Sequence, residues 1–316
     1  MATFLDFEKP IAALQEQIEQ LEAGAADSDV DIAAETEKLR AKAEQQLKAI
    51  YEKLSPWDKA KVARHPERPH FTDFAARLLT DFEPLAGDRY FAEDAAIIGG
   101  PARFDGRPVM VIGHEKGRTT TDRLRHNFGM AKPEGYRKAV RLMEMADRFS
   151  MPVLTFVDTA GAFPGIEAEE RGAAEAIARG TAACLKLSVP MIATITGEGG
   201  SGGALAVAAA NRVLMMEHSF YAVISPEGCA SILWRTGENA PDAAKQMRIS
   251  AQDLKKLGLI DRIVKEPLGG AHRDPATAIT AVGKAIGEEL AALSQMNAAG
   301  LKADRRAKFL AMERAA

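Results

Sequence analysis

Apolar residues at spacings of three and four open the chain: Ile11, Leu14, Ile18 and Leu21 recur behind Pro10, a residue suited to the first turn of a helix. A turn-like run from Gly24 to Asp29 follows, and Leu39, Ala43, Leu47, Ile50 and Leu54 then mark one face of a second helix. This pattern predicts an antiparallel helical hairpin over residues 1–60, an oligomer or partner contact whose narrow apolar stripe must pack on something to be stable. Ser55-Pro56 starts another helix, and Pro66, Pro69 and Pro84 break the next stretch into short segments. From Ala95 the period changes. The apolar runs Ala95–Gly100 and Pro108–Gly113 flank Asp105-Gly106, the signature of a β-hairpin.

Strands and helices then alternate. Helices over Pro133–Phe149 and Glu167–Leu187 separate strands over Pro152–Val157 and Met191–Thr196, and a small-residue helix over Gly202–Ala210 leads into a strand over Arg212–Met216. Tyr221–Ile224 reads as a short strand. Ser250-x-x-Asp253 reads as a capping box, Gly258 as a helix stop and Leu259–Val264 as a late strand. A long helix is predicted from Pro275, and the basic end, Leu301 to Ala316, reads as a solvated helix. Near-continuous apolar strands between helices imply an α/β fold with a parallel sheet buried under helices, here over residues 61–316.

Composition narrows the function classes. At 316 residues the chain is long for one ordinary domain and short for three, and 47% hydrophobic residues suffice for a sizeable core. Lys and Arg number 41 against 44 Asp and Glu, so no bulk positive field favours nucleic acid and any anion site must be local. Cys184 and Cys229 have neither CxxC partners nor a His cluster, which argues against a disulfide scaffold or a structural metal in this chain. Met1 to Glu8 lack the pattern of a signal peptide, and no run approaches membrane-spanning length. The expectation is a soluble, cytoplasmic protein.

Candidate chemistry concentrates at residues 197–203, Gly-Glu-Gly-Gly-Ser-Gly-Gly, where a strand meets a helix. Glycine there lets a ligand approach backbone N–H groups that no Cβ shields. Three motifs fit. Gly197-x-Gly199-x-x-Gly202, with Glu217 20 residues beyond Gly197, matches a dinucleotide fingerprint. Gly199-x-Ser201-x-Gly203 matches a nucleophile elbow with Ser201 attacking. The third reading is an oxyanion-binding turn in which the Gly202 and Gly203 amides act without any side chain.

A second small-residue turn, Asp158 to Gly165, follows the strand that ends at Val157. In a parallel sheet both turns fall at the same edge, and two facing backbone clefts suit a reaction between two carbonyl compounds. The basic loop His114-Glu115-Lys116-Gly117-Arg118 offers a phosphate or carboxylate site, a solvated loop being the plainer reading. Glu227, in the first turn of a helix begun by Pro226, is either a site acid or a complement to the helix dipole. Histidine argues against a hydrolase. Only His218 and His272 follow Ser201, one too soon for the usual triad order and the other in a Gly-rich loop. The dinucleotide reading suffers because strand-helix units precede the fingerprint, which belongs in the first.

The stretches GHEKGR (113–118), NFGMAKPEGYRKAVRLMEMADRF (127–149), DTAGAFPGIEAEERG (158–172), TGEGGSGGALA (196–206) and SPEGCASILW (225–234) resemble the carboxyltransferase alpha subunit of multi-subunit bacterial acetyl-CoA carboxylase, and the likeness covers nearly the whole chain. The resemblance implies a crotonase-like fold of repeated ββα units and transfer of a carboxyl group from carboxybiotin, on a biotin carboxyl carrier protein, to acetyl-CoA, yielding malonyl-CoA for fatty acid synthesis. It implies a beta subunit that carries a zinc ribbon and an α2β2 assembly. Gly202 and Gly203 would form the oxyanion hole for the biotin carbonyl, with Gly161, Ala162, Gly199, Gly200, Lys116 and Arg118 lining the substrate site. The thioester hole would come from the beta subunit, and the biotinyl N1 would serve as base. A bulky side chain at Gly202 or Gly203 is then expected to block transfer and leave the fold intact. The alternative is a self-contained crotonase-type acyl-CoA hydratase or hydrolase, which needs carboxylates such as Asp158 and Glu198 at the glycine turns.

Overall fold

The computed structural model describes residues 3–25 and 33–312. Helices α1 (Lys9–Ala25) and α2 (Ala33–Tyr51) lie antiparallel: Arg40 pairs with Glu22 near one end at 2.7 Å, and Tyr51 Oη donates to Glu8 Oε1 near the other at 3.0 Å. Glu8 is fully buried and also holds Arg273 at 2.7 Å, which fastens this end of the hairpin to the rest of the molecule. The second helix ends at Tyr51, so Leu54 falls outside it, and Gly24 and Ala25 belong to α1. The remainder of the expected turn, Ala26 to Asp29, lies outside the described residues, as do Met1 and Ala2 of the chain start.

Next come α3 (Pro56–Ala63), capped by Ser55, then α4 (Phe71–Leu78), the short β1 (Leu79–Thr80), and the hairpin of β2 (Ile97–Phe104) and β3 (Arg107–His114). Its turn places Asp105 at φ 48° and Gly106 at φ 74°, the left-handed pair that Asp-Gly supplies. The alternating region follows as α5 (Thr120–Arg125), α6 (Pro133–Arg148), β4 (Val153–Thr159), α7 (Ile166–Glu170), α8 (Ala173–Lys186), β5 (Met191–Gly200), α9 (Ser201–Leu205) and β6 (Arg212–Met216). The chain finishes through β7 (Phe220–Ala222), α10 (Pro226–Trp234), α11 (Ala240–Gln246), α12 (Ala251–Lys256), β8 (Arg262–Val264), α13 (Pro275–Leu293) and α14 (Ala298–Met312).

The sheet order is β1-β2-β3-β4-β5-β6-β8. Its first two pairings are antiparallel and the rest parallel. β5 changes neighbours along its length, pairing with β6 at Ile192–Ile195 and with β7 at Glu198–Gly200. Both sheet faces are covered. Met110, Ile112, Val153, Val157, Ala193 and Ile195 face a core with Tyr136, Ala139 and Leu142 of α6 and Ala176 and Cys184 of α8. Val111, Leu154, Phe156, Ile192 and Leu214 face Phe71 and Phe74 of α4 and Ile279, Val282 and Ile286 of α13. Burial on both faces explains why the strands read as unbroken apolar runs.

Local differences from the sequence reading have local causes. The helix expected over 167–187 is broken at Gly172, whose φ of 79° no helix contains. The helix expected over 202–210 stops at Leu205, and β5 runs past Thr196 through the glycines to Gly200. The basic end is not simply solvated: Leu301 and Arg305 of α14 are buried, and residues 313–316 lie outside the described residues.

Candidate active site

Two parallel strand ends build the site. β4 and β5 run in step from Val153 beside Met191 to Val157 beside Ile195; the register then slips, and Thr159 comes to lie beside Gly199. Glycine is required where the two backbones close up. A methyl group on Gly197 would run into the Asp158 carboxylate, and one on Gly200 into the Ala160 carbonyl. On Gly203 it would lie 2.6 Å from the Gly161 carbonyl carbon, 2.7 Å from the Ala162 nitrogen and 2.8 Å from Tyr136 Oη. Gly199 is held by the Tyr221 ring, 2.8 Å from such a methyl. The run is therefore glycine-rich chiefly because two turns interlock. This corrects the expectation that a bulky residue at 203 leaves the fold intact, since even alanine would push Gly161–Ala162 away.

The facing turn is held by its own side chain: Thr159 Oγ1 donates to the Gly161 carbonyl at 2.7 Å and accepts the Gly161 N–H at 3.1 Å. Gly161 sits at φ 149°, backbone that favours glycine. Opposite it, Ser201 turns the chain from β5 into α9 at φ 52°. The first amides of a helix have no intrahelical partner, and Gly200, which precedes α9, supplies no side chain to cap them. Beside Ser201 and Gly202 opens a cavity of about 370 Å³ with an apolar lining that includes Leu205, Tyr221, Val223, Leu254 and Phe309. Val223, which lines the cavity, is exposed, as are Ile232 and Leu233 of α10.

A chain of ion pairs braces the turns from behind. Lys116, just past β3, reaches Asp158 Oδ1 at 2.7 Å and Glu198 Oε1 at 2.9 Å, while the Glu198 N–H donates to Asp158 Oδ1 at 2.8 Å. Arg64, closing α3, donates to Glu198 Oε2 at 2.9 Å and to Glu227 Oε1 at 2.6 Å. Burial by itself would raise the Glu198 pKa, but Lys116 and Arg64 hold it below the usual carboxylate value. Burial would likewise lower the Lys116 pKa, and Asp158 and Glu198 raise it. Glu198 and Lys116 are thus both charged at neutral pH.

This arrangement sorts the sequence-derived candidates. Gly161, Ala162, Gly199, Gly200, Gly202 and Gly203 come together at the strand ends. Lys116 comes with them, but its charge is taken up by two carboxylates. Arg118 points elsewhere: its guanidinium pairs with Asp73 at the start of α4, with its side chain half exposed. Asp158 and Glu198 are tied to one ammonium, which fits them poorly for the acid–base work of a hydratase. The dinucleotide reading fails on geometry, because Gly197 and Gly199 lie inside β5 and Glu217 bonds Lys265 and the Glu266 N–H. Ser201 does occupy a strained strand-to-helix turn, yet among the described residues no histidine hydrogen-bonds it. His218 packs edge-on to Tyr51 at 5.4 Å, and His272 stacks on His65 at 3.8 Å.

Sequence reasoning missed Arg64 and Tyr136. Neither sits in a motif with a chemical signature, and each reaches the site from a helix distant in sequence. Among the described residues no group of three or more His, Cys, Asp or Glu is placed to hold a metal ion, and no helix is long and apolar enough to cross a membrane.

Residues 4–313 match the family described as acetyl co-enzyme A carboxylase carboxyltransferase-like. The chain is 64% identical over 312 residues to the acetyl-coenzyme A carboxylase carboxyl transferase subunit alpha of Rhizorhabdus wittichii, covering 99% of this chain and 100% of that one. It is 60% identical over 310 residues to the protein of the same name from Zymomonas mobilis, covering 98% and 99%. Among solved structures, transcarboxylase 12S superposes with a TM-score of 0.56 at 19% identity, over 70% of this chain and 42% of that one. A Pseudomonas malonate decarboxylase hetero-dimer does so with a TM-score of 0.55 at 20% identity, over 70% and 89%. At these identities the superpositions speak for the fold alone, which is the crotonase-like one.

Proposed function

Because the chain belongs to the acetyl co-enzyme A carboxylase carboxyltransferase-like family over residues 4–313, we propose that it is the alpha half of a carboxyltransferase. It takes the carboxyl group of carboxybiotin, a substrate presented on a biotin carboxyl carrier protein, and with its partner passes it to acetyl-CoA to give malonyl-CoA for fatty acid synthesis. The observation that carries this reading is the interlocked pair of backbone turns at Gly161–Ala162 and Gly199–Gly203, joined by ion pairs and, among the described residues, with no histidine hydrogen-bonded to Ser201.

Carboxyl transfer builds negative charge on the biotin urea oxygen as the carboxyl group leaves, and on the thioester oxygen as acetyl-CoA becomes an enolate. Backbone N–H groups fixed in advance stabilise such charge, each worth roughly a hundredfold or more in rate. Gly202 and Gly203, in the first turn of α9, supply the donors for the urea oxygen, with Gly161, Ala162, Gly199 and Gly200 shaping the cleft. The apolar cavity beside Gly202 suits the fused rings of biotin. Carboxybiotin, when bound, would supply the proton acceptor through its biotinyl nitrogen, so this chain needs no base of its own.

A beta partner supplies the thioester hole and a zinc ribbon, completing an α2β2 assembly in the cytoplasm. It docks over exposed apolar residues such as Val223 at the cavity and Ile232 and Leu233 on α10. Residues 1–60 form a separate contact arm on a carboxyltransferase domain of residues 61–316. The test is reconstitution. The purified chain alone, given carboxybiotin and acetyl-CoA, should make no malonyl-CoA, and adding the beta partner should restore turnover. Turnover by the isolated chain would refute the reading. Ser201→Ala should retain kcat within about tenfold, where loss of a catalytic serine costs several orders of magnitude.

A further inference from the structure

Tyr136 stands in the first turn of α6 with 1% of its surface exposed. Its hydroxyl reaches the point where the two turns meet: a methyl on Gly203 would sit 2.8 Å from it and 2.6 Å from the Gly161 carbonyl carbon. Among the described residues no protein group hydrogen-bonds Tyr136 Oη, although the atom is sealed from the surface. A buried hydroxyl without a partner is destabilising, and phenylalanine would fill the same space without that penalty. Burial, with the nearby Asp94 carboxylate as a second cause, pushes the phenol pKa up, so the group stays a proton donor at any working pH. The Gly161 carbonyl accepts from Thr159 Oγ1 and keeps a second lone pair free for another donor.

We propose that Tyr136 is a positioning residue for the glycine cradle: when charge develops in the cleft and the turns close on it, the Tyr136 O–H donates to the Gly161 carbonyl and locks Gly203 against the Gly161–Ala162 turn. The hydroxyl lies behind the cradle and does not touch substrate. It acts by fixing the Gly203 amide in the place the oxyanion requires, where displacement by a few tenths of an ångström weakens a preorganised donor. This rests on the assignment of Gly202 and Gly203 as the oxyanion donors.

The test is Tyr136→Phe in the chain assembled with its beta partner, with Gly202→Ala alongside. The Gly202 methyl would meet only Ile177, at 3.2 Å, so that variant folds while nudging the start of α9. Tyr136→Phe should lower kcat about tenfold with KM within about twofold. The Tm should be unchanged or higher. A role in packing alone would move Tm and leave kcat near wild type. If Gly202→Ala loses kcat while Tyr136→Phe keeps it, the tyrosine inference is overturned and the cradle stands. If both variants turn over at wild-type rates, the cradle reading falls and takes the inference with it.

Discussion

Lys116 shows how far a single residue's role depends on what surrounds it. In sequence it belongs to a basic loop that invites an anionic substrate; in the fold its ammonium lies between Asp158 and Glu198, each 6% exposed. Replacing it by methionine would leave two buried carboxylates facing each other, a loss on the order of 3–5 kcal/mol. The Glu198 pKa would then rise, because the cation that lowers it most is gone. A carboxylate whose folded pKa is raised destabilises above that value and is relieved as pH falls through it. Lys116→Met should therefore show a larger deficit in Tm and kcat at pH 8 than at pH 5.5, whereas removal of a substrate-binding lysine would raise KM at both. Parallel pH series on the assembled enzyme decide between the two.

At the scale of elements, α14 departs most from its sequence reading. Its charged residues suggest a solvated helix, yet Arg305 is fully buried, donating to the carbonyls of Leu187 at 3.0 Å and Val189 at 3.2 Å and to the Asn211 side chain. Those acceptors belong to the turn between α8 and β5 and to the start of β6, so one guanidinium ties the last helix to the sheet. No spacing rule reveals this, since the partners lie more than a hundred residues away for Leu187 and Val189. Arg305→Met should destabilise by about 2–4 kcal/mol, because several buried acceptors lose their donor at once. Arg305→Lys should recover only part, as one ammonium cannot match the fork. Urea unfolding reads both, and a loss below about 0.5 kcal/mol would mean the helix is held by Leu301 and its apolar neighbours alone.

For the whole molecule, buried titratable groups set the pH range of stability. Burial, then the nearby Lys116, holds His114 at about 4; burial holds His218 at about 4 and His272 at about 3. Unfolded, each binds a proton near pH 6.5 that the native chain refuses until lower pH, so stability is full above about 6.5 and falls as pH drops toward 4. His114 by itself accounts for about 3 kcal/mol across that window. Glu115 and Glu266, held at about 2 by their hydrogen-bonding and charged partners against the pull of burial, contribute fully above about 4.5 and are lost only as pH falls toward 2. Unfolding midpoints should thus decline between pH 6.5 and 4.5, before Glu115 and Glu266 are protonated. His114→Phe should flatten that decline by one proton's worth, and an unchanged slope would place the acid sensitivity elsewhere.

What the amino-acid order settled by itself was everything carried by short-range periodicity and turn chemistry. Alternating apolar strands and helices gave away the α/β class, Asp105-Gly106 the hairpin, and the glycine-rich run after Met191–Thr196 the address of the candidate site, because these signals depend on neighbours within a few residues. Extended motifs added the family. Only the tertiary structure decided what those glycines meet, that β5 runs on to Gly200, that Lys116 is already paired, and where Arg64, Tyr136 and Arg305 reach. Each of those facts is a contact between segments far apart in sequence. Which side chains share a few ångströms is set by how strands stack and helices cross, and no local pattern in the chain records it.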